Sequence, residues 1–419
     1  MAVHNESEFE KHLCAELLDA GWGHSSSDAG YDATLALFPA DVLAWLSETQ
    51  PEQYAKVVKP TDSAQHQEKA QGALLKRLAA SLDKPLANGG GTLNVLRRGF
   101  KDGPARFEMC QFRPADELNP VTWERYGKVR LRVVQQVHYS AKSKKSIDLV
   151  LFVNGLPVAT VELKTDFTQT VQDAITQYKV DRLPQGEKLL SFGHRALVHF
   201  AVSNSEVWMT TKLDGEETLF LPFNKGDDGR SGNPVNPDGS KTAYLWEEVW
   251  KRDSWLDILG RFMHLNIIDE VDLVTGKKTR KESLLFPRYH QWRAVKALID
   301  ASKVEGAGQK YLIQHSAGSG KTNSIAWAAH QLSTLHLEDG SKAFDSVIVV
   351  TDRTVLDRQL QDAITQIDAM SGVVAAITSK DGAKSKQLEE ALKAGKPIIV
   401  VTLQTFPFVF NKIQDAGAV

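Results

Sequence analysis

Apolar residues return at helical spacing near the start of the chain. Phe9, Leu13, Leu17 and Leu18 predict a helix from Ser7, where Ser7 and Glu10 have capping-box form and Gly21 is a stop. A second periodic stretch predicts a helix over 67–83, followed by a loop at Asn88-Gly89-Gly90-Gly91. Residues 128–139 (KVRLRVVQQVHY) alternate like a strand. In IDLVLFVNGLPVATVEL (147–163), two β-branched runs flank Asn154-Gly155, the strongest two-residue hairpin signal. Pro157 points to an edge position for the return strand. A helix is expected over 169–182 and a surface loop over 223–242 (FNKGDDGRSGNPVNPDGSKT).

The pattern changes near residue 260, which predicts two domains, 1–260 and 261–419. In the second, strands are expected at 311–314, 346–351 and 398–402 and helices at 323–335 and 355–366. That alternation implies a parallel sheet. Ile267-Ile268-Asp269-Glu270 is an apolar run ending in two acids, but it precedes the glycine-rich loop described below and is read as a helix or loop end.

Hydrophobic residues at 42% and charged residues at 24% fit a globular chain. The net charge is −2. Residues 1–260 carry 30 Lys and Arg against 35 Asp and Glu, and residues 261–419 carry 20 against 17. Neither part is a basic arm, which argues against a protein that simply coats DNA. Cys14 and Cys110 form neither a zinc spacing nor a disulfide framework. No apolar run approaches the ~18 residues of a membrane span, and the N-terminus has no signal-peptide design. A cytoplasmic protein without membrane attachment is expected.

Two constellations carry chemistry. In Tyr311-Leu312-Ile313-Gln314-His315-Ser316-Ala317-Gly318-Ser319-Gly320-Lys321-Thr322, an apolar run enters a glycine-rich turn that opens a helix. Such a turn aims backbone amides at phosphates, with Lys321 reaching the β/γ-phosphates of ATP and Thr322 ligating Mg²⁺. His315 stands where the phosphate-loop pattern has its first glycine. About 30 residues upstream, Gln291 could read an adenine edge through its amide. Arg353, Thr402 and Gln404 follow apolar strands and are candidate DNA contacts, with ordinary loop polars as the alternative.

The second constellation is Asp148, Glu162 and Lys164 on the predicted hairpin. Glu162 and Lys164, two apart, share a strand face. Pairing centred on the turn sets Asp148 near residue 161. Two converging carboxylates suit Mg²⁺, and the lysine can orient a water or offset developing charge. This Asp–X(13)–Glu–X–Lys layout is that of metal-dependent nucleases of the restriction-enzyme superfamily. Glu10 could add a carboxylate or serve only as a cap. Gln177 and Tyr178, on the following helix, could contact DNA or the metal shell. Lys142, Lys144 and Lys145 could meet phosphates or form a solvated loop.

These motifs together resemble the restriction (R, or HsdR) subunit of type I restriction–modification enzymes. The likeness lies in the wording of SIDLVLFVNGLPVATVELK, DAITQYKVDR, FLPFNKG, YLWEEV, LLFPRYHQ, YLIQHSAGSGKT, VIVVTDRTVLDRQLQD and VTLQTFPFV, which occur in the family's order. It implies an α/β chain: a restriction-endonuclease-like (PD-(D/E)XK) domain over 1–260, then a RecA-like superfamily 2 helicase P-loop domain over 261–419, ending before the acidic box. It implies Asp148, Glu162 and Lys164 as catalytic triad, Gln291 as adenine reader, and Gly318, Ser319, Gly320, Lys321 and Thr322 as phosphate loop. It further implies double-stranded DNA as substrate, methyltransferase (M) and specificity (S) subunits as partners, and cleavage coupled to ATP-driven translocation. The family's Gln-x-x-x-Tyr motif is not met literally, because Asp181 stands four residues after Gln177. The chain alone is expected to bind ATP weakly and not to translocate. Two other readings remain: a helicase-like chain whose N-terminal domain only binds DNA, and an inactive product of an interrupted gene.

Overall fold

A computed structural model describes residues 5–115, 118–271, 276, 278–351, 354–367, 373–377 and 384–404. They fall into two compact units. The first comprises Met1–Pro114, Pro120–Met263 and Ser283–Arg288; the second comprises Ala115–Asn119, His264–Glu282 and Tyr289–Val419.

The first unit opens with α1 (Glu6–Asp19), β1 (Gly23–Ser25), α2 (Pro39–Thr49), α3 (Pro51–Ala55), α4 (Ala64–Leu82) and α5 (Gly91–Arg98). A small hairpin, β2 (Phe100–Asp102) and β3 (Ala105–Phe107), leads to α6 (Pro120–Gly127). Then come β4 (Leu131–His138), β5 (Ser146–Val153), β6 (Leu156–Leu163), α7 (Val171–Val180), β7 (Val198–Val202), β8 (Val207–Thr210), β9 (Leu221–Pro222) and α8 (Arg252–Asp257). Seven strands form one mixed sheet in the order β1-β4-β5-β6-β7-β8-β9. The β6/β7 pair is parallel, while β4/β5 and β5/β6 are antiparallel.

The hairpin forms where the pattern places it. Asn154 (φ 49°) and Gly155 (φ 81°) supply the two left-handed residues of a type I′ turn. Asn154 is also a buried connector: its side chain accepts from Arg130 N (2.7 Å) and donates to Met109 O (2.8 Å). A Cβ on Gly155 would lie 2.5 Å from Phe38 O, so glycine lets the N-terminal end of α2 close on the turn. Every residue of β6 is buried, and the strand is central, not an edge. Pro157 is tolerated because pairing with β7 begins only at Ala159, so no β7 acceptor needs the missing N–H.

Helix α1 is capped by Asn5, whose side chain accepts from Glu8 N (2.8 Å), not by the Ser7–Glu10 box. Glu10 is thereby left for other contacts. Its C-terminal end has Schellman bonds, Trp22 N to Leu17 O and Gly21 N to Leu18 O, with Gly21 at φ 86°. The expected loop at 88–91 is partly helical, since Gly91 opens α5. One sheet face is covered by α7, through Val134, Val150 and Phe152 against Ala174, Ile175 and Tyr178.

The second unit contains β10 (His264–Val271), β11 (Lys278–Leu285, which ends in the first unit), α9 (Tyr289–Glu305), α10 (Lys321–Ser333), β12 (Val347–Thr351), α11 (Thr354–Ile367), β13 (Val374–Ala376), α12 (Lys384–Lys393) and β14 (Ile398–Thr402). Ile267–Glu270 is thus strand, paired with β11 in a two-stranded sheet, not a helix or loop end. Strands β12, β14 and β13 pair in parallel in that order. Ile398 and Val400 pack with Ala326, Ala329, Leu360 and Ile364 on one face; Ile399 and Val401 pack with Ile377 and Leu388 on the other. A strand covered on both faces reads as a continuous apolar run, as β14 does.

The strand expected at 311–314 does not form. Among the described residues it has no ladder partner, and Leu312 is 91% exposed. An apolar run becomes a strand only when another strand takes its backbone hydrogen bonds. No helix among the described residues is long and apolar enough to cross a membrane.

Candidate functional site

The hairpin brings Asp148 and Glu162 together through a bulge. A register shift of one residue between Leu151 and Phe152 puts Leu149 opposite Val161, and carries Asp148 into line with Glu162, not Val161. Asp148 Oδ2 accepts from Leu163 N at 2.8 Å. Glu162 is fully buried, and its Oε1 accepts from Arg182 Nε at 2.7 Å. Its Oε2 is buried with no hydrogen-bond partner. Burial, reinforced by the Asp148 charge, pushes the Glu162 carboxyl well above the usual carboxylate range, and Arg182 pulls the other way.

Lys164 follows β6 and is buried, its backbone N–H held by Val202 O at 2.9 Å. Its ammonium donates to Leu163 O (2.9 Å) and to Glu6 (3.3 Å). Glu10, also buried, comes to the same place from α1. Gln136 Nε2 donates to both Glu10 carboxylate oxygens (3.3 and 3.2 Å) and to Asp148 Oδ1 (3.4 Å). Burial raises the Glu6 and Glu10 carboxyl pKa values, and Asp148 adds to both.

Among the described residues no group of three or more His, Cys, Asp and Glu is gathered as a preformed cation cage. Asp148 stands near enough to Glu162 for its charge to raise the Glu162 carboxyl pKa. An unpartnered carboxylate oxygen on a fully buried strand is what a hard divalent cation such as Mg²⁺ would satisfy.

Tyr178 belongs to the core, not to a DNA-contacting surface. It is fully buried, and its hydroxyl shares a hydrogen bond with Thr160 Oγ1 (2.8 Å), which in turn meets His199 Nδ1 (2.7 Å). Gln177 lies half-buried on α7. Lys145 is tied to Asp181, through its side chain and backbone carbonyl, both at 3.1 Å.

In the second unit, Gly318 (φ 74°) and Gly320 (φ 78°) are both left-handed, and Gly320 caps α10. Thr322 stands half-buried in the first turn of α10, and Ser319 is buried with its hydroxyl unpartnered. Lys321 Nζ donates to the loop carbonyls of His315 (3.1 Å) and Ser316 (2.9 Å). Gln291, only 4% exposed, donates its amide to Ser319 O (3.1 Å) and Gly320 O (3.0 Å). Its amide nitrogen therefore braces the phosphate-loop backbone. A Cβ on Gly320 would lie 2.4 Å from that nitrogen.

Thr402 is buried at the end of β14, paired with Thr351, so it is not presented to a DNA backbone. Gln404 is exposed in the following turn. Arg353 lies outside the described residues.

The family model for the type I restriction enzyme R protein N terminus matches residues 4–218, just over half of the chain. The chain belongs to this family. A second model, SWI2/SNF2 ATPase, matches residues 290–417. Curated relatives of this R-protein family include the putative type I restriction enzyme MjaVIIIP endonuclease subunit of Methanocaldococcus jannaschii, 26% identical over 52% of this chain and 19% of its own length. The HindI endonuclease subunit of Haemophilus influenzae is 26% identical over 64% of this chain and 24% of its own. The SauCOLORF180P endonuclease subunit of Staphylococcus aureus is 27% identical over 66% and 26%. The chain thus spans about a fifth to a quarter of the length of these relatives.

Glu6, Gln136 and Arg182 of this R-protein domain were not foreseen as site residues. The available signal was a buried glutamate in a central strand, which demands a cation nearby. Arg182, five residues past Gln177 on the next helix's exit, meets that demand.

Proposed function

We propose that the first unit is a Mg²⁺-dependent endonuclease domain of restriction-enzyme (PD-(D/E)XK) type, with Asp148, Glu162 and Lys164 as its catalytic residues. The observation that carries this reading is the orphaned Glu162 Oε2 beside Asp148, with Lys164 two residues on. Asp148 and Glu162 would hold the cation. Bound Mg²⁺ would supply an acidified water and charge neutralisation at a phosphodiester. Lys164, buried and anchored by Leu163 O, keeps its ammonium over the same end of β6, where it can orient a nucleophile or offset negative charge. The phosphate loop, Gly318 to Thr322, would hold the phosphates of Mg-ATP in a RecA-like domain. Lys321 would exchange its two loop carbonyls for phosphate oxygens, and Thr322 would face the cation. The likeness to type I endonuclease subunits supports a cytoplasmic assembly with M and S subunits that translocates and cuts double-stranded DNA.

The test is nicking of supercoiled plasmid by the purified chain with and without Mg²⁺. Lys164→Ala is expected to lower the Mg²⁺-dependent rate by ~100-fold or more, the scale of losing a transition-state electrostatic contact. Nicking that survives the substitution refutes the assignment.

A further inference from the structure

Gln136 is the one residue of β4 with a left-handed backbone, φ 48°. The β4/β5 ladder keeps its register on both sides, Gln135 opposite Leu149 and Val137 opposite Ile147, and is interrupted only where Gln136 faces Asp148. Left-handed backbone in a non-glycine costs about 1–2 kcal/mol per residue. Such strain persists where the surroundings hold it, and it gathers at functional sites. Here the surroundings are polar. Ser146 Oγ donates to Gln136 Oε1 at 3.0 Å, which fixes the amide so that Nε2 faces the carboxylates. That nitrogen spans Glu10 and Asp148 with contacts of 3.2–3.4 Å. These are long for bonds to a carboxylate, normally ~2.7–2.9 Å. The amide therefore bridges a gap between two like charges without closing it.

We propose that Gln136 is a positioning residue of the cation site. It holds Glu10 at a fixed spacing from Asp148, so that Glu10 stays in reach, through water, of a divalent cation bound by Asp148 and Glu162. The inference rests on the nuclease reading and adds one residue to it, Gln136, as the group that places the carboxylate of Glu10. Residues that orient ligands without touching the metal alter metal affinity by ~10–100-fold.

The experiment compares the full chain with Gln136→Gly and Gln136→Asn. Glycine keeps the left-handed backbone and deletes the amide; asparagine also accepts that backbone but is one methylene short. Mn²⁺ binding is measured by calorimetry, and Mn²⁺-dependent nicking is measured against metal concentration. Gln136→Gly is expected to weaken Mn²⁺ binding ~10-fold and to raise the metal concentration for half-maximal nicking equally, with the saturated rate within about threefold of wild type. Gln136→Asn should fall between. A purely structural role would instead lower the saturated rate or the fraction folded and leave metal affinity unchanged. Wild-type affinity in both variants overturns the proposal, as does a wild-type chain that takes up no Mn²⁺. If wild type binds Mn²⁺ but shows no nicking sensitive to Lys164→Ala, the nuclease reading fails, while the binding comparison still decides the role of Gln136.

Discussion

Replacing Arg182 by methionine removes the cation that faces Glu162 and keeps a side chain of similar length. Glu162 is fully buried, Arg182 is nearly so, and their contact is 2.7 Å. Removing one partner of a buried pair costs about 3–5 kcal/mol, because the other charge stays buried without compensation. The upper part of that range applies here: the second Glu162 oxygen has no partner, and Asp148 is in line across the hairpin. The reading is best made locally, because two units that unfold separately would blur a global transition. Hydrogen exchange of peptides covering 156–163 reports β6 itself. At ~1.4 kcal/mol per decade, a loss of about 4–5 kcal/mol makes exchange on the order of 1,000-fold faster. The companion is Glu162→Gln with Arg182→Met, which removes both charges. It should recover ~2 kcal/mol of the deficit, since a neutral pair is cheap to bury compared with a lone carboxylate. Exchange within twofold of wild type in Arg182→Met, or no recovery in the double variant, would refute the claim that Arg182 is what permits Glu162 to lie in the sheet.

Gly320→Ala should weaken binding of a fluorescent ATP analogue by at least ~10-fold, from left-handed strain of about 1–2 kcal/mol plus the collision with Gln291. Adding Gln291→Ala removes the collision but not the strain, so it should restore only part of the loss; full affinity in Gly320→Ala would show that the loop does not hold phosphate in this conformation. Burial holds His199 down to about 3, below an unfolded value near ~6.5. A depressed folded pKa means the unfolded chain binds the extra proton, so stability is full above ~6.5 and declines on acidification toward 3, by up to about 1.4 kcal/mol per pH unit. Urea midpoints between pH 6.5 and 4.5 should therefore fall more steeply for wild type than for His199→Asn, and equal slopes would sink the argument.

The elements legible in the sequence were those whose determinants are local. Asn154-Gly155 dictates its own turn, and flanking β-branched runs make strands on either side. Residues 321–333 and 354–367 carry their helical period within themselves. Tyr311–Gln314 failed because a strand needs a neighbour, and hydrophobicity says nothing about whether one is present. Lys278–Leu285 shows the converse: KTRKESLL has no strand alternation, yet pairing with His264–Val271 makes it strand. Pro157 misled for a subtler reason. Proline is excluded only where its N–H would be needed, and β7 starts two residues later.

The proximity of Asp148, Glu162 and Lys164 was legible because one hairpin and the residue after it carry all three, so it follows from a turn two residues long. The register shift at Leu151/Phe152 then corrects by one position what a plain turn would give, and aligns the two acids. The rest of the site is held by contacts across 158 residues from Lys164 to Glu6, 126 from Gln136 to Glu10, and 20 from Arg182 to Glu162. No local pattern encodes such distances. Charge does constrain them: a glutamate buried in a central strand obliges the fold to bring a cation to it, though not from any particular place. In this chain the obligation is met for one oxygen by Arg182 and left open for the other. The adjoining acids are kept apart by an amide on a strained residue. One carboxylate oxygen of the sheet interior thus stays unpaired while its neighbours are spaced by a left-handed residue, and backbone strain of that kind gathers at functional sites.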